Sequence, residues 1–201
     1  FQISGNGVLG HASNIKNLLG DLASFRPSYL LVVPRVLEKI YNSADTKASG
    51  PKRKIFRWAA KVAIAYSQAL DTEEGPSASL KAQHALADKL VYQQIIRLVG
   101  GNADYIVSGG APLAPWLAHF YRGVGIPVLE GYGLTETVGP VSVNTPRLSK
   151  IGTVGPALPP MSFKISDEGE ILLKGSSVFQ RYHNDPEATA ACFTEDGWFR
   201  T

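Results

Sequence analysis

The sequence predicts an α/β fold with a mixed, mostly parallel sheet, crossover helices and a helical insert, followed by a β-rich subdomain. Up to about residue 145, short apolar runs alternate with amphipathic helical stretches, a rhythm typical of parallel strands joined by helices. From residue 146 onward, proline and glycine separate short apolar runs instead. We therefore expect residues 1–145, with the insert at about 50–100, and residues 146–201 to be two parts of one truncated domain.

Hydrophobic periodicity predicts the first elements. Apolar residues recur at helical spacing between positions 14 and 25, and Ser13 or Asn14 can cap the first amides of that helix. Residues 29–33 have the length and apolar character of a buried strand. Pro34, which suits a first helical turn, opens the next helix.

The helical insert follows a stretch of polar and small residues, 43–51, which indicates a loop. A helical face at 55–66 and a second one at 80–98 predict two long helices joined by a loop at 71–79. Gly100 and Gly101 supply a stop for the second helix.

Two further strands are predicted before residue 145, and glycine-rich turns follow both. Residues 105–107 form a strand that ends at residues 108–112, and a helix follows at 113–120. Residues 125–129 form the other strand, which leads into a glycine-flanked turn at 129–137.

The β-rich part begins with short apolar runs at 151–154, 162–165 and 170–173. An Asp-Glu-Gly sequence between the last two runs predicts a hairpin. A helix is expected at 186–193, and residues 196–201 indicate a turn that enters a strand.

Composition excludes several classes of protein. The hydrophobic content of 44% is too high for a disordered chain, and the formal charge of +3 is mild. No apolar run is long enough to span a bilayer. Cys192 is the only cysteine and the histidines are scattered, so we expect no disulfide framework, no zinc site and a reduced, cytoplasmic setting.

The stretch at 129–137 carries the clearest chemical signal. Tyr132 can stack on a base, Thr135 can donate to a phosphate oxygen, and Glu136 can hold a hard cation through oxygen. Turns after strands of an α/β sheet open at the edge where ligands usually bind. The residues alone leave open an ordinary turn with a core tyrosine and a solvated glutamate.

The turn at 108–112 contains two glycines, whose bare backbone can lie against a flat ring. Read by itself, it is equally well explained as a tight connection between a strand and a helix. If its strand and the one before residue 129 are parallel neighbours, both turns open at one sheet edge, which favours a shared nucleotide site.

Residues 5–10 fit the dinucleotide pattern G-x-G-x-x-G literally. The helix that should bind a pyrophosphate starts too late, and the acidic residue expected about 20 positions further on is missing. A dinucleotide oxidoreductase is therefore the least favoured alternative.

A cluster of basic residues lies beside Phe56 and Trp58 and consists of Lys47, Lys52, Arg53, Lys54, Arg57 and Lys61. A cationic amphipathic helix at 52–61 can contact anionic lipid at the inner face of a membrane, and a solvated charged face is the alternative. Basic charge alone gives no reason to expect nucleic-acid binding.

The order and spacing of the motifs resemble those of AMP-forming adenylating enzymes. The matching residues are 109–113, 131–136, 152–155, 169–175, Tyr182 with 186–189, and 197–201. Within that superfamily, residues 21–27, 33–39, 52–54 and 87–91 resemble long-chain fatty acyl-CoA synthetases.

The resemblance implies roles for individual residues. Adenine would lie against Gly109, Gly110, Ala111 and Pro112 and stack on Tyr132. Thr135 would contact the α-phosphate and Glu136 would bind Mg²⁺, so these two are the implied catalytic residues. Gly131 would lie where the adenine pocket meets the acyl tunnel, Gly133 shares that nucleotide-binding turn, and Trp198 would flank the nucleotide.

The implied reaction joins a long-chain fatty acid to ATP, giving an acyl adenylate and pyrophosphate, and then transfers the acyl group to coenzyme A. The family's upstream phosphate loop, the aspartate after Thr201 and the C-terminal domain with its lysine are missing, so we expect the fragment alone to be inactive. Arg181 stands where the family usually has glycine. A noncatalytic adenylate- or lipid-binding module and a fatty acyl-AMP ligase without transfer to coenzyme A remain alternatives.

Overall fold

The computed structural model describes residues 7–12, 14 and 16–201. The chain forms two compact units, Phe1–Val128 and Leu129–Thr201. Ser13, Gly5 and Asn6 lie outside the described residues, so the predicted Ser13 cap and the start of the G-x-G-x-x-G stretch fall outside them too. No helix that the described residues form is both long and apolar enough to cross a bilayer.

The first unit contains most of the helices. Its elements are α1 (Leu18–Phe25), β1 (Tyr29–Val32), α2 (Pro34–Lys47), α3 (Gly50–Ala69), α4 (Ala78–Ala87), a π-helical segment (Asp88–Tyr92), α5 (Gln93–Leu98), β2 (Tyr105–Ser108) and α6 (Pro115–Val124). Strands β1 and β2 pair in parallel, with Tyr29 opposite Tyr105 and Val32 opposite Ser108. The helices between them form the crossover that parallel pairing requires.

Helix α1 is shorter than its apolar pattern suggests. It begins at Leu18 and not at residue 14. The Asn14 side-chain oxygen accepts the amide of Lys16 at 2.8 Å, and the Asn14 carbonyl accepts the amide of Asn17 at 3.0 Å. Asparagine thus closes a local turn before the helix, in competition with a helical cap.

The predicted loop at 43–51 is wrong, because α2 continues to Lys47 and only two residues separate it from α3. The reason is Asp45, whose carboxylate accepts hydrogen bonds from Arg53 at 2.6 Å and from Arg57 at 2.9 Å. These two bonds tie the polar end of α2 to α3. The polar residues at 43–47 therefore belong to the end of an ion-paired helix and not to a loop.

The predicted helix at 80–98 forms as a continuous run from α4 through the π-helical segment to α5. The predicted stop is confirmed, since Gly100 and Gly101 have φ values of 100° and 73°. The amide of Gly101 donates to the Ile96 carbonyl at 2.9 Å, which satisfies one of the final carbonyls.

Helices α3 and α6 pack with their backbones in close approach. A Cβ atom added at Gly123 would lie 2.1 Å from the Ala63 carbonyl oxygen, so only glycine fits there. Tyr92 and Tyr121, both fully buried, donate to the carbonyls of Ala59 and Leu37. The core of the first unit is therefore centred on these two helices.

A polar network closes the same helix pair. The Ser67 hydroxyl lies 3.0 Å from His119 Nδ1 and accepts Arg122 Nε at 2.7 Å. Arg122 also donates to Asp71 at 2.6 Å. Ser67 is fully buried, so this serine–histidine contact satisfies buried polar groups and is not a nucleophile open to substrate.

The second unit is mostly β. Its elements are β3 (Val128–Leu134), a 3₁₀ turn (Thr135–Thr137), β4 (Gly139–Val143), β5 (Ser162–Ile165), β6 (Ile171–Lys174), α7 (Pro186–Ala191) and β7 (Phe199–Arg200). The predicted hairpin is confirmed as the antiparallel pair β5–β6, and β7 pairs with the other edge of β6. Mixed pairing, parallel in β1–β2 and antiparallel in β3–β4, agrees with the predicted α/β class.

Two predictions for this unit are wrong. Residues 151–154 form a turn and no strand, because the amide of Thr153 bonds back to the Lys150 carbonyl at 3.1 Å. Helix α7 ends at Ala191, since Phe193 leaves it to bridge Phe199. The apolar cluster around Val141, Met161, Leu173 and Phe199, against which Phe193 packs, is the core of the unit.

We predict that Gly123→Ala lowers the free energy of unfolding by about 1–3 kcal/mol, because the added methyl group meets the Ala63 backbone. Gly20→Ala in α1 is the matched control, since a Cβ there meets nothing within 4 Å. That control should be neutral or stabilising by up to about 1 kcal/mol. Urea unfolding followed by circular dichroism measures both, and equal stability of the two variants would contradict the close approach.

Candidate functional site

The turn at 109–112 lies in the first unit, directly after β2. The Gly109 amide donates to the Val32 carbonyl at 3.3 Å, which fixes the turn to the end of β1. Gly110 has a φ of 80°, and a Cβ there would make only an ordinary contact at 3.7 Å with Val33. Backbone conformation, and not lack of space, therefore requires glycine. Gly110, Ala111 and Pro112 are exposed.

Ser108, the first residue of the predicted turn at 108–112, has a buried hydroxyl and was not predicted as a site residue. Ser108 is 1% exposed, and among the described residues its Oγ has no hydrogen-bond partner. Buried polar groups in native proteins are nearly always paired. Ser108 is therefore an additional candidate for contact with a ligand, and only burial in the folded chain reveals it.

Gly131, Tyr132 and Gly133 lie inside β3 and not in a turn after a strand, which corrects the sequence prediction. The strand continues because β4 pairs with it in antiparallel register. A Cβ at Gly133 would lie 2.1 Å from the Gly139 carbonyl oxygen, and one at Gly131 would lie 3.1 Å from that of Ser142. The glycines of this motif thus permit close strand pairing.

The Tyr132 side chain is half-buried and packs against the core cluster of the second unit. It lies opposite Ser142, and the register shifts between Tyr132 and Gly133, which bends the strand at this point. One part of the ring is therefore held by the core. Its stacking on a base stays a prediction.

The 3₁₀ turn after β3 is closed by Thr137, which sequence reasoning missed. Its hydroxyl accepts the Leu134 amide at 3.0 Å and donates to the Gly139 carbonyl at 2.8 Å. Val138 follows with a φ of 57°, a conformation that β-branched residues rarely adopt. This fixed turn leaves Thr135 exposed at its tip.

Glu136 is half-buried and held at two points, so it is not the freely solvated glutamate of the alternative interpretation. The hydroxyl of Tyr182 donates to Glu136 Oε1 at 2.9 Å. The amide of Phe179 donates to the Glu136 carbonyl at 2.7 Å, and the rings of Phe179 and Tyr182 meet edge to face at 4.6 Å. The bond to Glu136 raises the pKa of Tyr182 above its ordinary value.

Trp198 lies next to β7, between two lysines. The Nζ atoms of Lys164 and Lys174 lie 5.9 and 5.8 Å from its ring centroid, within the range of cation–π attraction. The Trp198 amide donates to the Thr194 hydroxyl at 2.9 Å. An aromatic surface and two positive charges are thus brought together in the second unit.

The structure divides the predicted site residues between the two units. Those at 109–112 belong to the first, and those at 131–136 belong to the second together with Trp198. Formation of one shared site by both turns stays a prediction.

A family model described as AMP-binding enzyme matches residues 6–183. The chain belongs to the AMP-binding enzyme family. This confirms the family resemblance that the ordered motifs indicate.

This AMP-binding enzyme chain is similar to two curated proteins in particular. It is 47% identical over 195 residues to the Long-chain-fatty-acid–CoA ligase FadD15 of Mycobacterium tuberculosis, covering 96% of this chain and 32% of that protein. It is 34% identical over 206 residues to Long chain acyl-CoA synthetase 3 of Arabidopsis thaliana, covering 94% and 30%. The chain therefore spans about a third of the length of these relatives.

The fold of this AMP-binding enzyme chain is also found among solved structures. Apo MatB from Rhodopseudomonas palustris superposes with a TM-score of 0.58 at 24% identity, covering 94% of this chain and 30% of that one. At this identity the likeness concerns the fold alone, and it agrees with the predicted α/β class.

Arg181, where the resemblance implies a glycine, has no backbone strain. Among the described residues other than glycine, positive φ values occur at Arg26, Val138 and Asn184. Arg181 thus keeps a backbone conformation that any residue adopts, and the departure leaves the neighbouring Tyr182 bonded to Glu136.

We predict that Glu136→Gln moves the titration of Tyr182 to lower pH. Ionised Tyr182 would lose its donated bond and face the Glu136 carboxylate, which is why its pKa is raised, and glutamine removes that charge. Carbon-13 NMR of labelled tyrosines measures the shift. Glu168→Gln, on the exposed β5–β6 turn, is the control and should leave Tyr182 unchanged. An identical Tyr182 titration in wild type and Glu136→Gln would contradict the bond.

Proposed function

We propose that this chain is part of the AMP-binding domain of a long-chain fatty acyl-CoA synthetase. The whole enzyme activates a long-chain fatty acid with ATP, forms an acyl adenylate and pyrophosphate, and transfers the acyl group to coenzyme A. The observation that carries the proposal is the 47% identity, along 96% of the chain, to a protein named Long-chain-fatty-acid–CoA ligase. In this proposal residues 1–145 and 146–201 are two parts of the one domain.

The adenine ring is assigned to Gly109, Gly110, Ala111, Pro112 and Tyr132. The exposed turn around Gly110 offers backbone without a side chain, which supports contact with a flat ring. Tyr132 is anchored by the core of its unit, so its ring pays little additional ordering entropy when a base stacks on it. Trp198 flanks the nucleotide. Gly131 and Gly133, on either side of Tyr132, allow β3 to pair closely with β4.

Thr135 is assigned to the α-phosphate. It is exposed at the tip of a turn that Thr137 fixes, so its hydroxyl is available to an outside acceptor. Attack by a fatty carboxylate on the α-phosphorus concentrates negative charge, and a donor that is already positioned stabilises that charge.

Glu136 is assigned to Mg²⁺, and its surroundings fit that role. A carboxylate held by Tyr182 and half-buried is a hard oxygen ligand in a fixed position. Magnesium sites of nucleotide enzymes use one or two carboxylates together with substrate phosphates, so one glutamate is enough from the protein. When bound, the ion offsets phosphate charge.

Peripheral contact with anionic membrane is assigned to the basic helix at 52–61, in an otherwise cytoplasmic protein. Asp45 pairs with Arg53 and Arg57, and in the part of the chain that the structure describes the lysines of this helix have no ion-pair partner. Lys54, Trp58 and Lys61 are spaced by four and three residues and so share one stripe of α3. The lysines of this stripe are exposed, which suits contact with lipid headgroups.

The first test measures products of the full-length protein with ATP, palmitate and coenzyme A. We expect AMP and pyrophosphate, and Glu136→Gln should slow their release by orders of magnitude while unfolding is little changed. Glu168→Gln is the matched control with the same charge change. Release of ADP and phosphate would contradict adenylation, and an unchanged rate in Glu136→Gln at saturating Mg²⁺ would remove the metal assignment. Accumulation of acyl adenylate without thioester would indicate a ligase that stops before coenzyme A.

The second test concerns the membrane stripe. Each lysine near an anionic surface contributes about 1 kcal/mol, so Lys54→Gln with Lys61→Gln should weaken vesicle binding roughly 30-fold. Lys81→Gln with Lys89→Gln removes the same charge from exposed positions elsewhere in the first unit and is the control. Sedimentation with phosphatidylserine vesicles at two salt concentrations measures the effect. Equal binding to neutral and anionic vesicles, indifferent to salt, would contradict the contact.

A further inference from the structure

The first unit contains an apolar groove that the nucleotide motifs do not explain. It encloses about 480 Å³ between α2, α3, the π-helical segment and α5, a volume typical of sites for small ligands. Its floor is formed by Phe56, Val91 and Ile95, which are at most 8% exposed. Its lips are Ile55 and Leu90, which are 41% and 45% exposed. The groove therefore joins a buried apolar floor to solvent.

Two positive charges lie at the groove. Lys47 in the last turn of α2 and Lys52 in the first turn of α3 both line it and are exposed. Within the described part of the chain neither lysine has an ion-pair partner. The neighbouring Asp45 accepts hydrogen bonds from Arg57 and Arg53, and these bonds hold the pKa of its carboxyl well below the usual range. The charge that the groove presents is thus uncompensated.

One wall of the groove belongs to the π-helical segment, which supplies Leu90 and Val91. Such segments are rare in proteins, appear mostly as single turns inside α-helices, and are frequent at functional sites. The Leu90 carbonyl accepts the side-chain amide of Gln94 at 3.1 Å, so that polar group is satisfied and the wall stays apolar.

We propose that this groove binds one fatty acid anion at a site separate from the nucleotide motifs. The alkyl chain lies along Phe56, Val91 and Ile95, and the carboxylate lies beside Lys47 and Lys52. One alkyl chain with one carboxylate matches an apolar groove that is lined by two lysine side chains. The assignment does not depend on adenylation, since none of these residues belongs to the proposed catalytic site.

The experiment uses the full-length protein and isothermal titration with dodecanoate below the concentration at which it aggregates. Wild type should bind two molecules, one at the acyl site of the proposed enzyme and one at the groove. Lys47→Gln with Lys52→Gln should weaken one of the two sites at least tenfold. Ala44→Leu with Ala48→Leu, which fills the groove from the C-terminal end of α2 and the residue after it, should abolish that site and leave the other.

The control is again Lys81→Gln with Lys89→Gln, which should keep both sites. Dodecyl maltoside, with the same tail and a neutral head, should bind the groove more weakly than dodecanoate does. If the acyl site of the proposed enzyme does not exist, wild type should bind a single dodecanoate, at the groove. The groove variants should then still abolish that binding. Identical stoichiometry and affinity in wild type and in the lysine variant, whose exposed changes do not endanger folding, would overturn the proposal.

Discussion

Close pairing of β3 with β4 is the constraint on which the candidate site of the second unit depends. Gly133 faces the Gly139 carbonyl at a distance that no side chain tolerates, so the two strands approach closely because Gly133 lacks a Cβ. A Cβ at Gly131 would crowd the Ser142 carbonyl oxygen at 3.1 Å. That approach places Thr137 where its hydroxyl closes the turn between the strands. Thr135 and Glu136 are held in this turn, and their positions follow from the strand pairing below them.

The bond from Tyr182 to Glu136 gives the acidic residue of the motif a fixed orientation. The Phe179 amide holds the Glu136 backbone, and the Phe179 ring packs on Tyr182 and on Phe199 of the core. The carboxylate is therefore linked through two aromatic rings to the apolar cluster of the unit. A functional group whose orientation is set by packed neighbours loses less conformational entropy when it binds its ligand.

In the first unit, Asp45 forms ion pairs with the two arginines of the basic cluster and not with its lysines. It binds Arg53 and Arg57 and joins α2 to α3, while Lys47, Lys52, Lys54 and Lys61 have no carboxylate partner among the described residues. Lys54 and Lys61 then share one exposed stripe of α3, while Lys47 and Lys52 line the groove. A cluster that is uniform in the sequence thus becomes a structural ion pair and two separate charged surfaces.

The sequence by itself determined the elements whose signals are local. The strand β5 and its hairpin with β6, the helix that Pro34 opens and the stop at Gly100 and Gly101 each follow from a few neighbouring residues. The family was also determined this way, because its motifs are short and ordered.

Only the tertiary structure decided that α2 runs to Lys47, that Gly131 and Gly133 lie within a strand, and that Glu136 meets Tyr182 46 residues later. These outcomes depend on contacts between different elements of the fold, from the Asp45–Arg53 pair to the Tyr182–Glu136 bond. Local periodicity carries no information about such contacts, because their free energy comes from partners outside the element itself.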